Sequence, residues 1–146
     1  MRLRLVAWAV LAAAVVPVAA FGAAGSTTKL TTSLTGSAEV PKGAANGHGT
    51  ATVTITGSKV CWKFTGVTGI DKPMVSHIHK GKAGVAGPVV VPLGAAYRPS
   101  GCTTAAAAVA KAIVADPARY YVNIHTAKHP AGAIRGQLKK ATASTY

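Results

Sequence analysis

Acidic residues are almost absent from this chain of 146 residues, which has only Glu39, Asp71 and Asp116. Three carboxylates in the whole chain argue against hydrolysis by paired acidic side chains, the mechanism of most glycosidases. Sixteen Lys and Arg residues give a formal net charge of +13. Because such a protein is attracted to polyanions, we expect anionic cell-surface polymers as partners, with phospholipid headgroups and nucleic acid as alternatives.

The signatures of several other function classes are missing as well. Aromatic residues make up 5% of the chain, and no arginine-rich stripe alternates with them, so no specific nucleic-acid recognition is predicted. No phosphate-cradling motif is present, and no serine or cysteine nucleophile has a convincing base and acid beside it. The sequence therefore predicts no catalytic residue and favours a binding role over an enzyme.

Cysteine is scarce too, with only Cys61 and Cys102. An even number of cysteines in an exported chain predicts a disulfide bond between them. Two buried thiols are one alternative, and a metal site that combines cysteine with histidine is another.

A long apolar run occurs at the N-terminus, where Arg2 and Arg4 precede the stretch from Leu5 to Val18. A short positive segment followed by an apolar one is typical of a secretory signal. A retained membrane anchor is the alternative, but the run is shorter than the roughly 20 residues that span a bilayer.

Small residues after this run give two candidate cleavage positions, Ala20 and Ala24. We favour Ala24, which predicts a signal peptide over 1–24 and a secreted, extracellular or envelope-associated protein without a transmembrane segment after cleavage. Removing the two arginines of the signal leaves a net charge of +11 (13 − 2).

The rest of the chain alternates apolar and polar residues in short runs, which is typical of β-strands. The clearest case is 50–64, where two alternating runs separated by a glycine turn predict a hairpin. An alanine-rich stretch predicts one helix at about 104–115, capped by Thr103 or Thr104. We therefore expect one all-β domain over 29–139, a β-sandwich with one short helix, and a flexible tail at 140–146.

Six ordered segments resemble one known family, the CHRD domain first described in chordin. They read LTGSAEVP (34–41), GTAT (49–52), HIH (77–79), GVAGPVV (84–90), YYVNIHT (120–126) and PAGAIRGQL (130–138). The resemblance implies an immunoglobulin-like or superoxide-dismutase-like β-sandwich. In chordin these domains belong to an extracellular binding protein, so the resemblance implies a binding or matrix module.

Four of the five histidines form two short clusters, His77 with His79 and His125 with His129. On a strand, His77 and His79 would present both imidazoles on one face. With His125 from a second strand, and His129 as a fourth ligand, they could hold copper or zinc. Structural histidines held by hydrogen bonds are the alternative, and Met74 is a further candidate copper ligand.

Glu39 and Arg135 are predicted to form a structural ion pair, because an isolated buried charge is costly. In the alternative, Arg135 flanks the histidines and attracts an anionic ligand.

Three functional hypotheses follow from these patterns. The first is an extracellular binding module with a histidine metal site, and the second is the same module without a metal. The third is a copper-dependent enzyme like superoxide dismutase, because a His-x-His pair on a strand also resembles the copper ligands of those enzymes.

Overall fold

The computed structural model describes residues 25–142. The signal peptide predicted for 1–24 and the end of the predicted tail, 143–146, lie outside the described residues. The strands are β1 (Thr27–Thr35), β2 (His48–Thr56), β3 (Lys59–Thr68), β4 (Pro73–Lys80), β5 (Val89–Pro92), β6 (Ser100–Thr104), β7 (Tyr120–Thr126), β8 (Ile134–Gln137) and β9 (Lys139–Lys140). The helix α1 spans Ala107–Ala115, and two short 3-10 turns span Gly36–Ala38 and Pro117–Arg119.

The strands join in the order β5-β4-β7-β8-β1-β2-β3-β6, and β9 pairs with β1. All strand pairs are antiparallel. The sheet is nearly barrel-shaped, and the predicted class, mostly β with one short helix, is confirmed. The division into two packed sheets, as in an immunoglobulin-like or superoxide-dismutase-like sandwich, stays a prediction.

Alternation in the sequence decides which side chains enter the core. In β2, Ala51, Val53 and Ile55 are buried, whereas the threonines between them point outward. The inward side chains of the other strands and two residues of α1 complete one apolar cluster; its members include Leu30, Leu34, Trp62, Phe64, Ile78, Ala110, Ile113, Val122, Ile124 and Ile134.

The hairpin of β2 and β3 is confirmed, with Thr56 paired to Lys59 across a two-residue loop. Gly57 opens this loop with φ of +57°, a conformation that glycine adopts without the steric cost that a Cβ would bring.

Two boundaries differ from the sequence-based expectation. The helix begins at Ala107 rather than near 104, because Thr103 and Thr104 extend β6 and pair with Val60 and Lys59. Neither threonine therefore caps the helix, whose N-cap position is Ala106.

The chain also remains in the sheet at residue 140, where the flexible tail was expected to begin. Lys139 and Lys140 form β9 and pair with Thr31 and Leu30 of β1. Residues 141 and 142 follow this strand without regular structure.

The predicted disulfide between Cys61 and Cys102 is confirmed. The two cysteines lie directly opposite each other in the pairing of β3 with β6. Because β6 ends the strand order, the bond ties a terminal strand to its neighbour.

Replacing both cysteines, as Cys61→Ser/Cys102→Ser, should lower the free energy of unfolding by about 4 kcal/mol. This value is the chain-entropy cost of closing a loop with the sequence separation of 41 residues. Urea unfolding of the oxidised protein and the variant measures the difference, and chemically reduced wild type should match the variant. A difference below about 1 kcal/mol would show that the bond contributes little to stability.

Candidate metal centre

The outward face of β4, β7 and β8 is lined with polar side chains. These strands are neighbours, and direct pairs join His77 to Asn123, His79 to Tyr121, and Asn123 to Arg135. Because facing residues of paired strands point to the same side of a sheet, the six neighbouring outward residues form one patch. We call it the polar layer: His77, His79, Tyr121, Asn123, His125 and Arg135.

Three histidines of the polar layer meet. One ring nitrogen from each of His77, His79 and His125 lies within 4.8 Å of the other two. The closest approach is 3.1 Å, between Nδ1 of His77 and Nε2 of His125. The two-residue period of β4 therefore places both imidazoles of the His-x-His motif on one face, as the sequence indicated.

Backbone carbonyls fix the tautomers of two of these rings. Nδ1 of His79 lies 2.8 Å from the Gly87 carbonyl oxygen, and Nδ1 of His125 lies 2.9 Å from that of Pro130. A carbonyl only accepts hydrogen bonds, so each Nδ1 must carry the proton, and in the neutral ring Nε2 has the free lone pair. Nε2 of His79 is buried and has no hydrogen-bond partner among the described residues.

The side-chain oxygen of Asn123 also lies beside the histidine group. Its Oδ1 lies 3.0 Å from Nε2 of His125, although both atoms are acceptors when His125 is neutral with its proton on Nδ1. Such a contact is favourable only if the amide group is flipped by 180°, so that its NH₂ faces the ring, or if a proton or another cation lies between the atoms.

The ring of His79 stacks on the ring of Tyr121. The His79 and Tyr121 rings are 4.8 Å apart and nearly parallel, at 8°, and the Arg135 guanidinium lies 4.2 Å from the centre of the Tyr121 ring. The Tyr121 hydroxyl also accepts a hydrogen bond from the Gly87 N–H at 3.1 Å. Tyr121 thus holds both the His79 ring and the loop whose carbonyl orients it.

Glu39 and Arg135, for which the sequence suggested an ion pair, lie near each other, and both are almost fully buried, at 4% and 2% exposure. Nε of Arg135 lies 3.9 Å from Oε2 of Glu39, but its hydrogen bond goes to the Ala38 carbonyl oxygen at 2.6 Å. This spacing is too long for a hydrogen-bonded ion pair. Burial therefore outweighs the attraction to Arg135 and raises the pKa of Glu39 from 4.5 to about 7.

The contacts of Arg135 bear on its alternative role as an anion-binding group. Arg135 and Glu39 both line a cavity of about 510 Å³, so a carboxyl group already stands beside the guanidinium. Nη1 of Arg135 donates to the Val85 carbonyl oxygen at 3.1 Å. These contacts within the chain favour the structural role.

The environment keeps the imidazoles of His77 and His79 neutral. Burial, reinforced by His125 and His79, lowers the pKa of His77 from 6.5 to about 4. Burial is also the main cause that lowers the pKa of His79, although its bond to Gly87 opposes the shift. At neutral pH both rings can offer a lone pair to a metal.

The other two histidines, the predicted fourth ligand His129 and His48, lie outside this group. His129 is held in the loop after β7, where its N–H donates to Thr126 Oγ1 at 3.1 Å and its carbonyl accepts from Gly132. His48 is exposed and bonds the Asn46 carbonyl. Met74 is 53% exposed, and it lies where the pairing of β4 with β7 is irregular, between Pro73 and Val75.

Sequence reasoning gave no role in the site to Tyr121 or to the two carbonyls. The same two-residue period that joins Asn123 and His125 could have placed Tyr121 on their face. The carbonyls of Gly87 and Pro130 have no signal in side-chain identity, because any residue supplies that group.

The pH dependence of stability tests the environment of His77. An unfolded chain takes up a proton at this residue below pH 6.5, whereas the folded protein does so only near pH 4. The stability that neutral His77 provides is thus complete above pH 6.5 and is lost between 6.5 and 4. Between pH 7.5 and pH 5, the metal-free wild type should lose about 2 kcal/mol more than a His77→Gln variant.

Urea unfolding in the presence of a chelator measures this difference. Glu39 titrates with the opposite sign, because its raised pKa gives stability below pH 4.5 that is lost as the pH rises through 7. Since both proteins contain Glu39, its contribution cancels in the comparison. Parallel stability curves for the two proteins would contradict the lowered pKa of His77.

Comparisons with known proteins point to one family. The CHRD domain profile matches residues 30–138, which is most of the chain and nearly all of the sheet. No curated protein and no solved structure matched the chain. The extent of the profile match shows that this chain belongs to the CHRD domain family.

Proposed function

We propose that this protein is an exported binding module whose CHRD domain holds one transition-metal ion on His77, His79 and His125. The observation that carries the proposal is the pair of carbonyl contacts at His79 and His125. Metal-binding histidines typically donate their second ring N–H to a carbonyl or carboxylate, which fixes the ring and directs the other nitrogen to the metal. Two of the three histidines have this arrangement.

The spacing of the nitrogens supports the same conclusion. At the usual zinc–nitrogen distance, two ligands of a tetrahedral ion lie about 3.4 Å apart. The nitrogens of His77 and His125 are 3.1 Å apart, and all three lie within 4.8 Å. Small rotations of the imidazoles would therefore suffice to bind an ion.

Imidazole ligands suit zinc and copper, and both remain candidates. Either ion would relieve the contact between His125 Nε2 and Asn123 Oδ1, because a cation attracts both acceptors. His129 is not in the group, and its backbone is held by hydrogen bonds with Thr126 and Gly132.

A copper enzyme like superoxide dismutase is the second candidate, supported by the His-x-His pair on β4. Redox turnover would need an open coordination position and a second shell that tunes the metal. The two carbonyls supply orientation, but His48 and His129 stand apart from the group, so no further histidine of the described residues could bridge to a second metal. We therefore place the metal-binding module first.

Export and location are part of the proposal. The signal-like N-terminus motivates export, and a disulfide is favoured in oxidising compartments. Among residues 25–142, no helix has the length and apolar character needed to cross a bilayer. The net charge of +11 after removal of the signal (13 − 2) would hold the protein to anionic envelope polymers.

Metal titration tests the site directly, with two variants that each remove two histidines. His77→Gln/His79→Gln removes two proposed ligands, whereas His48→Gln/His129→Gln removes two histidines outside the group. We expect wild type and the second variant to bind one Zn²⁺ or Cu²⁺ ion per chain. The first variant should bind at least 100-fold more weakly, since a missing ligand alone has a large effect and here two are lost.

Calorimetry with a competing chelator measures the affinity, and thermal unfolding gives a second readout. An ion at 100 times its dissociation constant should stabilise wild type by about 2.7 kcal/mol. Weak and equal binding by all three proteins would reduce the histidines to structural residues. Superoxide turnover that disappears with the metal would instead establish the enzyme.

A further inference from the structure

The outward face of β1, β2, β3 and β6 differs from the polar layer in composition and exposure. Its outward positions hold mainly hydroxyl groups and lysines, together with the disulfide of Cys61 and Cys102, and no acidic side chain belongs to these strands. We call it the hydroxyl face: Thr27, Lys29, Thr31, Ser33, Thr50, Thr52, Thr54, Thr56, Lys59, Lys63, Thr65, Ser100 and Thr104. Its three lysines are exposed.

The strand register fixes how these lysines are arranged. Lys29 of β1 pairs with Thr54 of β2, and Thr54 pairs with Cys61 of β3. Cys61 lies midway between Lys59 and Lys63 along β3. With about 3.4 Å per residue along a strand and about 4.8 Å between strands, Lys59 and Lys63 are about 13 Å apart. Lys29 lies about 12 Å from each, so the three Cα atoms form a nearly equilateral triangle.

Thr54 lies inside this triangle with Thr52 and Thr56 on either side of it, and Cys61 of the disulfide lies on the side between Lys59 and Lys63. Threonine is common on exposed strand faces because of its β propensity, so the hydroxyls by themselves indicate no ligand. The lysines are what distinguish this face from an ordinary threonine-rich strand surface. In residues 25–142 the sole ion pair is the one between Glu39 and Arg135, which leaves these three ammonium groups without an acidic partner in the described chain.

We propose that the hydroxyl face is the docking surface for an extended, hydroxyl-rich acidic polysaccharide. Charge complementarity supports an anionic partner. The lysines are about 12–13 Å apart with hydroxyls between them, which suits a polymer whose acidic groups are interspersed with sugar hydroxyls. Double-stranded DNA, with one charge per about 1.7 Å, presents a much denser pattern. This inference rests on the proposed attachment to anionic polymers and is independent of the metal.

Two triple variants of equal net charge test the location of the surface. Lys29→Gln/Lys59→Gln/Lys63→Gln removes the lysines of the hydroxyl face, and Lys42→Gln/Lys82→Gln/Lys128→Gln removes three exposed loop lysines. Sodium alginate, a linear polyuronate, is the probe. The face variant should bind alginate about tenfold more weakly, the effect of losing three exposed ion pairs of ordinary strength, whereas the loop variant should change less than twofold.

The hydroxyls are tested at constant charge by Thr52→Val/Thr54→Val, which keeps β-branched side chains. We expect alginate binding to weaken about threefold, because two neutral hydrogen bonds at an exposed site contribute less than the ion pairs. Unchanged urea unfolding midpoints show that each variant is folded. An unchanged alginate affinity in this variant would overturn the role of the hydroxyls.

Further binding measurements show which part of the proposal would be wrong. Equal losses in the two lysine variants would overturn the hydroxyl face but leave polymer attachment standing. The proposed attachment to anionic polymers would be wrong if wild type did not bind alginate at 0.15 M salt. It would also be wrong if binding persisted at 1 M salt, where the Debye length falls from about 8 Å to about 3 Å. Tighter binding to double-stranded DNA than to alginate would overturn the polysaccharide. The His77→Gln/His79→Gln variant should bind alginate like wild type.

Discussion

The buried charge of Arg135 is the constraint on which the arrangement of the site depends. A guanidinium cannot lose its proton in a protein, so its burial has to be compensated by contacts. The carbonyls of Ala38 and Val85 and the carboxyl group of Glu39 provide these contacts. All three belong to loops that cover the sheet, and the guanidinium also packs on Tyr121. These contacts compensate the charge in part, since Nη2 of Arg135 has no hydrogen-bond partner among the described residues, and they tie together the loops beside the histidines.

The polar layer explains why the candidate metal site lies on β4, β7 and β8. These strands pack apolar side chains on their inner face, as Ile78 and Ile124 show, and loops cover part of their outer face. A polar group between sheet and loops must find a partner there, since water is largely excluded. Histidine and asparagine can hydrogen-bond to each other or offer lone pairs to an ion, so the residues that order this layer are also the candidate metal ligands.

Much of the sheet could be predicted because its signal is local. Alternation located β2 and β3, and the His-x-His spacing placed two imidazoles on one face. Strand β6 was missed because Ser100–Thr104 has small and polar residues, and its pairing depends on β3, about 40 residues away in the chain. The start of the helix was placed too early for the same reason, because Thr103 and Thr104 belong to β6. The carbonyls that orient His79 and His125 depend on loop conformation, which no side-chain pattern specifies.

The two strands at the ends of the sheet order, β5 and β6, are each restrained in a different way. An open strand edge is a template for pairing with another chain. Strand β5 is bounded by Pro88 and ends at Pro92, and proline has no N–H to offer to an incoming strand. Strand β6 is instead joined covalently to β3 through Cys102. That bond holds β6 in register with β3, so oxidation keeps the end strand from slipping or separating from the sheet.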